Sequence, residues 1–230
     1  MWRREAPHVL AALLRRYGDL GECEDAVQDA AEAAAARWPV DGVPDDPKAW
    51  LVRVASRRLI DRYRSDTARS RREERDHAML AAGRAPAADE PPVPDTDDTL
   101  RLLFLCCHPA LSRPSQVALS LRAVAGLGVE QIAAAYLVPA RTMTQRLTRA
   151  RAQLRQAGAR FVMPSDGELP ARVAAVLDVC HLVFTEGYTR TSGADLLDVE
   201  LAEEAIRLTR QVHAALPDHD EVAGALASCC

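Results

Sequence analysis

Thr144, Gln145, Thr148 and Arg149 follow one another at the one- and four-residue steps that place side chains on adjoining strips of a helix, with Arg141, Arg146 and Arg151 around them. Amides, hydroxyls and guanidinium groups in this pattern can hydrogen-bond base edges and phosphates. The chemistry on offer is therefore recognition and not bond making. From Leu137 to Arg160 the chain holds six arginines and no acid. A second cationic set combines Trp50 with Arg53, Arg57, Arg58, Arg62 and Arg64, residue types that stack on bases and track phosphates along a displaced strand. An opposite pattern precedes it. Glu24, Asp25, Gln28, Asp29 and Glu32 recur at helical spacing and predict an anionic ridge that a basic helix could meet. Each of the three sets also reads as a solvated helix face. Trp50, in a stripe with Leu51 and Val54, also reads as core.

No constellation for catalysis accompanies them. The chain has no Gly-rich phosphate loop, no GxSxG and no HExxH. His8, His77, His108, His181, His213 and His219 lie without a carboxylate or nucleophile at motif spacing. An enzyme is not expected, and neither catalytic residues nor a cofactor is assigned. Two neighbour pairs, Cys106-Cys107-His108 and Cys180-His181, suggest zinc but lack the spaced CxxC pairing. Both sit in apolar runs, so the thiols are expected buried and reduced, with no metal site.

The elements that must carry these residues are helices. Only ten of the 230 residues are aromatic, while Ala, Leu and Arg abound, and alternating β-branched runs are absent. Net charge is −4, yet charge is sharply partitioned. Asp19–Asp46 holds nine acids against one base, and Lys48–Arg75 ten bases against four acids. This predicts cationic patches on an acidic body. The periodicity predicts helices over Val9–Tyr17, Glu22–Trp38 and Pro47–Ser65, the last capped by Asp46. Residues Ala81–Asp98, rich in Pro and acids, read as a flexible linker. Thr99–Leu105 and Ser112–Ala125 follow, with Asp97 or Asp98 capping the first and Gly126 and Gly128 ending the second. Next comes a helix-turn-helix. Val129, Ile132, Ala133 and Tyr136 line its first helix, Leu137–Pro139 breaks it, and Met143, Leu147, Ala150 and Leu154 line its second, with Pro139 expected in the first turn. Leu169–Phe184 and Leu197–Leu216 are expected as two tail helices joined by a loop at Glu186–Gly193. No leader or bilayer-length apolar run occurs, so a cytoplasmic protein without membrane association is expected.

Two stretches together resemble bacterial RNA polymerase sigma factors of the extracytoplasmic-function (ECF) type. DAVQDA followed by PKAWLVRVASRRLIDRYR is similar to sigma region two, and VEQIAAAYLVPARTMTQRLTRARAQL to region four. LLFLCCHPAL and ELPARVAAVLDVCHLVFTEGY are similar to a subgroup with a C-terminal, tetratricopeptide-like helical extension, which the resemblance implies to be cut short here. The implied fold is all-α, with a region-two bundle (1–75), an acidic linker (76–98), a region-four helix-turn-helix domain (99–160) and the extension (161–230). The resemblance implies a subunit that binds core RNA polymerase through the β′ clamp helices and the β flap and directs it to promoter DNA. Asp25, Gln28 and Asp29 would carry polymerase docking. Trp50, Arg53, Arg57, Arg58, Arg62 and Arg64 would face the −10 region. Thr144, Gln145, Thr148 and Arg149 would read the −35 bases, with Arg141, Arg146 and Arg151 on phosphates. Arg57 stands where many relatives carry Asn. Leu137 and Arg141 stand where Gly is frequent, so Leu137 must either avoid positive φ or accept strain. The acidic extension reads as a regulatory lid within the chain, as a partner-binding surface, or as extra packing, the first being favoured because it sets an acidic surface beside a basic helix. A one-component regulator that binds operators without polymerase is the alternative, and it leaves the Asp25–Asp29 and Trp50–Arg64 helices without a task.

Overall fold

The computed structural model describes residues 2–73, 98–190 and 196–215, with residues 222 and 224. Among the described residues all regular secondary structure is helical. They fall into two compact units, residues 12–96 in one and residues 1–11 with 97–230 in the other. Most of the expected linker, together with Cys229, Cys230, His77 and His219, lies outside the described residues.

The division falls within α1 (Trp2–Tyr17); in the smaller unit its end, from Ala12, leads through Gly18 into α2 (Leu20–Asp41), and α3 (Pro47–Glu73) packs antiparallel-fashion against α2 as a helical hairpin. Asp19 caps α2 by accepting from the Glu22 amide at 2.9 Å, and Asp46 caps α3 by accepting from the Ala49 amide at 2.9 Å. Small residues let the two helices approach. Ala26, Ala30 and Ala34 of α2 are buried with Leu51, Ala55 and Leu59 of α3. Trp38 and Trp50 meet edge to face at 5.5 Å, and Tyr17 stacks on Tyr63 at 6.2 Å. Helices α1, α2 and α3 all outrun the periodicity that predicts them. For α3 the cause is plain: beyond Ser65 the sequence is polar all round, so no apolar stripe marks a continuation that helix propensity alone supports.

The larger unit contains α4 (Thr99–Cys106), α5 (Arg113–Ala123), α6 (Val129–Ala135), α7 (Ala140–Gln156), α8 (Leu169–Arg190) and α9 (Leu196–Ala215). Its core gathers Leu102, Leu103, Phe104, Leu119, Ile132, Met143 and Leu147. Gly128 stands at the N-cap of α6, its amide donating to Gln131 Oε1 at 2.9 Å, instead of ending α5 as expected. Gly126, at φ 66°, makes that turn. Helix α8 continues through Glu186–Arg190, where the sequence suggests a loop. Helices α8 and α9 pair with each other; α8 packs on α4 and α5, and α9 on α4.

Candidate nucleic-acid interface

Helix α7 is seated by Met143, Leu147, Ala150 and Leu154, all buried, as their spacing predicts. At 100° per residue, the strip opposite this seat centres on Arg141, Gln145 and Thr148, with Thr144 and Arg149 on its two flanks. All five are exposed. The Thr144 hydroxyl donates to the Ala140 carbonyl at 3.0 Å, and the Thr148 hydroxyl to the Thr144 carbonyl at 2.9 Å. Arg151 is half-buried.

Arg146, expected on a phosphate, is half-buried beside Tyr136. Its guanidinium carbon lies 5.2 Å from the Tyr136 ring centroid, and its Nη1 is buried. The Tyr136 hydroxyl in turn reaches the Pro114 carbonyl at 3.5 Å. Arg146 thus braces the recognition helix against the turn, through a cation–π contact that a linear count of arginines does not show.

The turn itself is tight. Val138 donates to the Ala133 carbonyl at 3.0 Å, Pro139 occupies the N-cap position of α7, and Ala140 begins the helix. Leu137 takes φ 51° and is 83% exposed. Of the two outcomes open to it, the chain accepts the strained one. Pro139, expected inside the first turn, sits one residue earlier because its φ of −60° with ψ 143° suits an extended cap.

On α3, Arg53, Arg57 and Arg64 fall within about 40° of one another, opposite the Leu51–Ala55–Leu59 seat, and form one exposed cationic ridge. Arg58 is exposed on the flank. Trp50 is half-buried against Trp38, so its ring is a core wall before it is a stacking platform. Arg62 turns toward α2, bonding Asp29 at 2.7 Å with Asp25 at 3.9 Å. It therefore joins the acidic ridge instead of the cationic one. That ridge is also narrower than expected. Glu24 is only 6% exposed and drops out, leaving Asp25, Gln28 and Glu32 exposed and Asp29 half-buried; Gln28 donates to Glu32 at 3.4 Å. Tyr63 donates to the Glu22 carboxylate, and burial with that contact pushes its phenol pKa up.

Among the described residues no cluster of potential ligands could hold a metal ion. Cys106, Cys107 and Cys180 are buried thiols. Burial pushes the Cys107 thiol up to about 11, although the Ser120 hydroxyl 3.7 Å away works in the other direction.

Sequence patterns gave no warning of the seam between α8 and the helices before it. Arg172 donates to the carbonyls of Phe104 and, at 3.4 Å, Cys107, at the C-terminal end of α4. Gln116 donates to the Cys107 and His108 carbonyls at 3.3 and 3.0 Å. Arg113 pairs with Asp178 and donates to the Ala175 carbonyl at 3.1 Å. Cationic and amide donors thus converge on a helix end that presents unpaired carbonyls. The one available signal is an arginine four residues from a valine-rich stripe, at Arg172 and Val176, which by itself reads as solvated.

Comparison with known proteins bears on both helical systems. Residues 1–69 match the family described as Sigma-70 region 2, and residues 101–154 match Sigma-70, region 4. The two matches follow one another along the chain, region 2 before region 4. The region 2 match takes in α1, α2 and α3 as far as residue 69, and the region 4 match runs from within α4 to within α7. Residues 172–230 match a family of unknown function, DUF6596, which takes in α9 and nearly all of α8. Among similar proteins, an uncharacterized protein of Rhizobium meliloti (strain 1021) is 39% identical over 227 residues, 95% of this chain and 52% of that protein. A probable ECF RNA polymerase sigma factor, SigI, of Mycobacterium tuberculosis is 30% identical over 182 residues, 78% of this chain and 61% of that protein. The chain therefore spans about half to three-fifths of the length of the curated relatives it matches. No solved structure matches it. In the described residues no helix is long and apolar enough to cross a membrane.

Proposed function

We propose that the chain is an alternative sigma factor of the ECF type, which binds core RNA polymerase and directs transcription initiation from promoters with −10 and −35 elements. The observation that carries this reading is the pairing of two cationic faces of different character in the two sigma regions. Region 4 offers a mixed Thr, Gln and Arg strip suited to duplex bases. Region 2 offers an Arg53–Arg57–Arg64 ridge suited to the backbone of an opened strand. An operator-binding regulator has use for the first alone.

Asp25, Gln28 and Asp29 dock the clamp helices of the polymerase β′ subunit, and region 4 meets the β flap. Arg58 supports the region 2 ridge, and Trp50 shapes its floor. On region 4, Thr144, Gln145, Thr148 and Arg149 read bases while Arg141 and Arg151 hold phosphates. The extension belongs to the subgroup with tetratricopeptide-like helices and regulates from within the chain. Its seat on α4 and α5 through Arg172 and Arg113 supports a brace that sets the posture of region 4.

Run-off transcription with core polymerase on a genomic promoter library tests the reading. New start sites that depend on the chain are the expected result, together with weak duplex binding by the chain alone. Stable duplex binding by the isolated chain, without co-elution with core polymerase at low salt, overturns it in favour of a one-component regulator.

A further inference from the structure

We propose that Thr144 and Thr148 are specificity-determining residues that read thymine C5-methyl groups in the major groove, through their own methyl groups and not their hydroxyls. The inference rests on the sigma reading of region 4 and names what its recognition helix recognises.

The hydroxyls are already committed. Thr144 Oγ1 donates to the Ala140 carbonyl at 3.0 Å and Thr148 Oγ1 to the Thr144 carbonyl at 2.9 Å. This back-bonding to the residue four positions earlier is a familiar state of helical threonine. The threonine Cβ carries only a hydroxyl and a methyl. With the hydroxyl folded onto the helix, the methyl is the group left for a partner, and both residues are exposed. Four residues of helix separate them, a rise of about 6 Å, which matches between one and two base steps at about 3.4 Å per base. The two thus form a short apolar rail that runs along one side of the exposed face of α7, from its Thr144 flank to Thr148.

A major groove lined by hydrogen-bonding edges has one apolar target, the thymine methyl, and threonine methyls suit it. Gln145 and Arg149 each follow one of the threonines in sequence and are exposed beside the rail. Their side chains match adenine and guanine edges respectively. The recognised element therefore combines thymines, read by shape and apolar contact, with purines read by hydrogen bonds.

The probe is a promoter duplex selected from a randomised library by the chain bound to core polymerase, with each thymine replaced in turn by deoxyuridine. Uracil keeps every hydrogen-bonding group of thymine and lacks only the methyl. The polymerase-bound wild-type chain is expected to lose about fourfold in affinity at one or two positions, the factor equivalent to about 0.8 kcal/mol for one buried hydrocarbon carbon. Thr144→Ser and Thr148→Ser keep the hydroxyl and should each erase the thymine–uracil difference at one position. Thr144→Val and Thr148→Val keep the branched methyl and should retain that difference. Helical content by circular dichroism shows that each variant folds. Equal affinity for thymine and uracil at every position overturns the proposal while leaving the sigma reading standing. So does loss of discrimination in the valine variants with its retention in the serine variants, because the hydroxyls would then be the readers. A chain that selects no duplex even with polymerase refutes the sigma reading and the methyl contacts with it.

Discussion

Replacing Arg172 with alanine should loosen the larger unit without touching the residues that face DNA. The guanidinium donates to the Phe104 and Cys107 carbonyls at the end of α4. The Cys107 carbonyl keeps a donor in Gln116 at 3.3 Å, so its loss is partly covered. The Phe104 carbonyl is worse placed, because the His108 amide that could reach it bonds Leu105 instead at 3.3 Å. A bond from a charged donor is worth about 1.5–3 kcal/mol net. Arg172 is half-buried, and solvent screens part of that value. The expected cost is about 1–2 kcal/mol, dominated by the Phe104 carbonyl.

Hydrogen exchange on the full chain measures the effect where it should occur. Amides of α4, α5 and α8 should exchange roughly 5- to 30-fold faster, the factor equivalent to about 1–2 kcal/mol, while those of α2 and α3 stay unchanged. Arg172→Met, which keeps the apolar stem, should recover only the packing share. A second readout is independent of stability. Burial first, and the Arg172 charge second, hold the His108 imidazole below its ordinary pKa, with Glu168 opposing them. Its Nδ1 accepts from the Ala110 amide at 3.2 Å, which requires that nitrogen to be unprotonated. Removing Arg172 should raise the His108 pKa part-way. The sign follows: a base whose folded pKa is depressed costs stability as pH falls through its unfolded value, and that acid loss should shrink in the variant. Unchanged protection in α4 and α8, or an equal rise in α2 and α3, would refute the capping role. An unmoved His108 titration would refute its electrostatic link to Arg172.

Leu137→Gly should stabilise the chain by about 0.5–1 kcal/mol, since an L-residue in the left-handed region costs about 1–2 kcal/mol and glycine returns part of that as unfolded-state entropy. A lower urea midpoint would show that the exposed leucine side chain contributes to the fold. Arg146→Ala should destabilise by about 0.5–1 kcal/mol through loss of its contact with Tyr136. Unchanged thermal stability with a flatter salt dependence of DNA binding would instead make Arg146 a phosphate ligand. Arg62→Ala should strengthen low-salt binding to core polymerase severalfold, because Asp29 and Asp25 lose the cation that masks them. Weaker binding in a pull-down titration would mean that Arg62 holds these acids in their docking posture.

The helices were legible wherever an apolar stripe repeats, because burial imposes the repeat. Met143, Leu147, Ala150 and Leu154 are the clearest case, and all four are buried. Helix ends were legible only where a cap announced them. Asp46 does so, whereas the run of α3 beyond Ser65 has no core to write a pattern. Glu24 shows the converse failure: it has helical spacing with the exposed acids, yet it lies next to Cys23 on the buried side of α2. Residue type identified the DNA-facing candidates and could not tell which guanidinium meets solvent. Arg146, Arg62, Arg113 and Arg172 are engaged by a ring, two carboxylates or a carbonyl elsewhere in the chain. Such partners are tens of residues away for Arg62, Arg113 and Arg172, and no local spacing encodes them.

On the proposed reading, that division bears on how tightly the exposed face of α7 would hold DNA. Affinity for duplex falls with salt at a slope of about −0.9 for each phosphate neutralised. Counting Arg141, Arg146 and Arg151 as phosphate ligands gives a contribution of about −2.7. With Arg146 placed on Tyr136, Arg141 and Arg151 would on that reading contribute about −1.8 at most. A helix with fewer phosphate anchors leans harder on base contacts, and on the second cationic face in region 2, for a useful residence on one site. On the proposed reading, polymerase would hold both units on the same promoter and so supply that second foothold at high effective concentration. The modest number of phosphate-facing arginines in region 4 thus fits a subunit that selects promoters in company better than a repressor that must hold an operator alone.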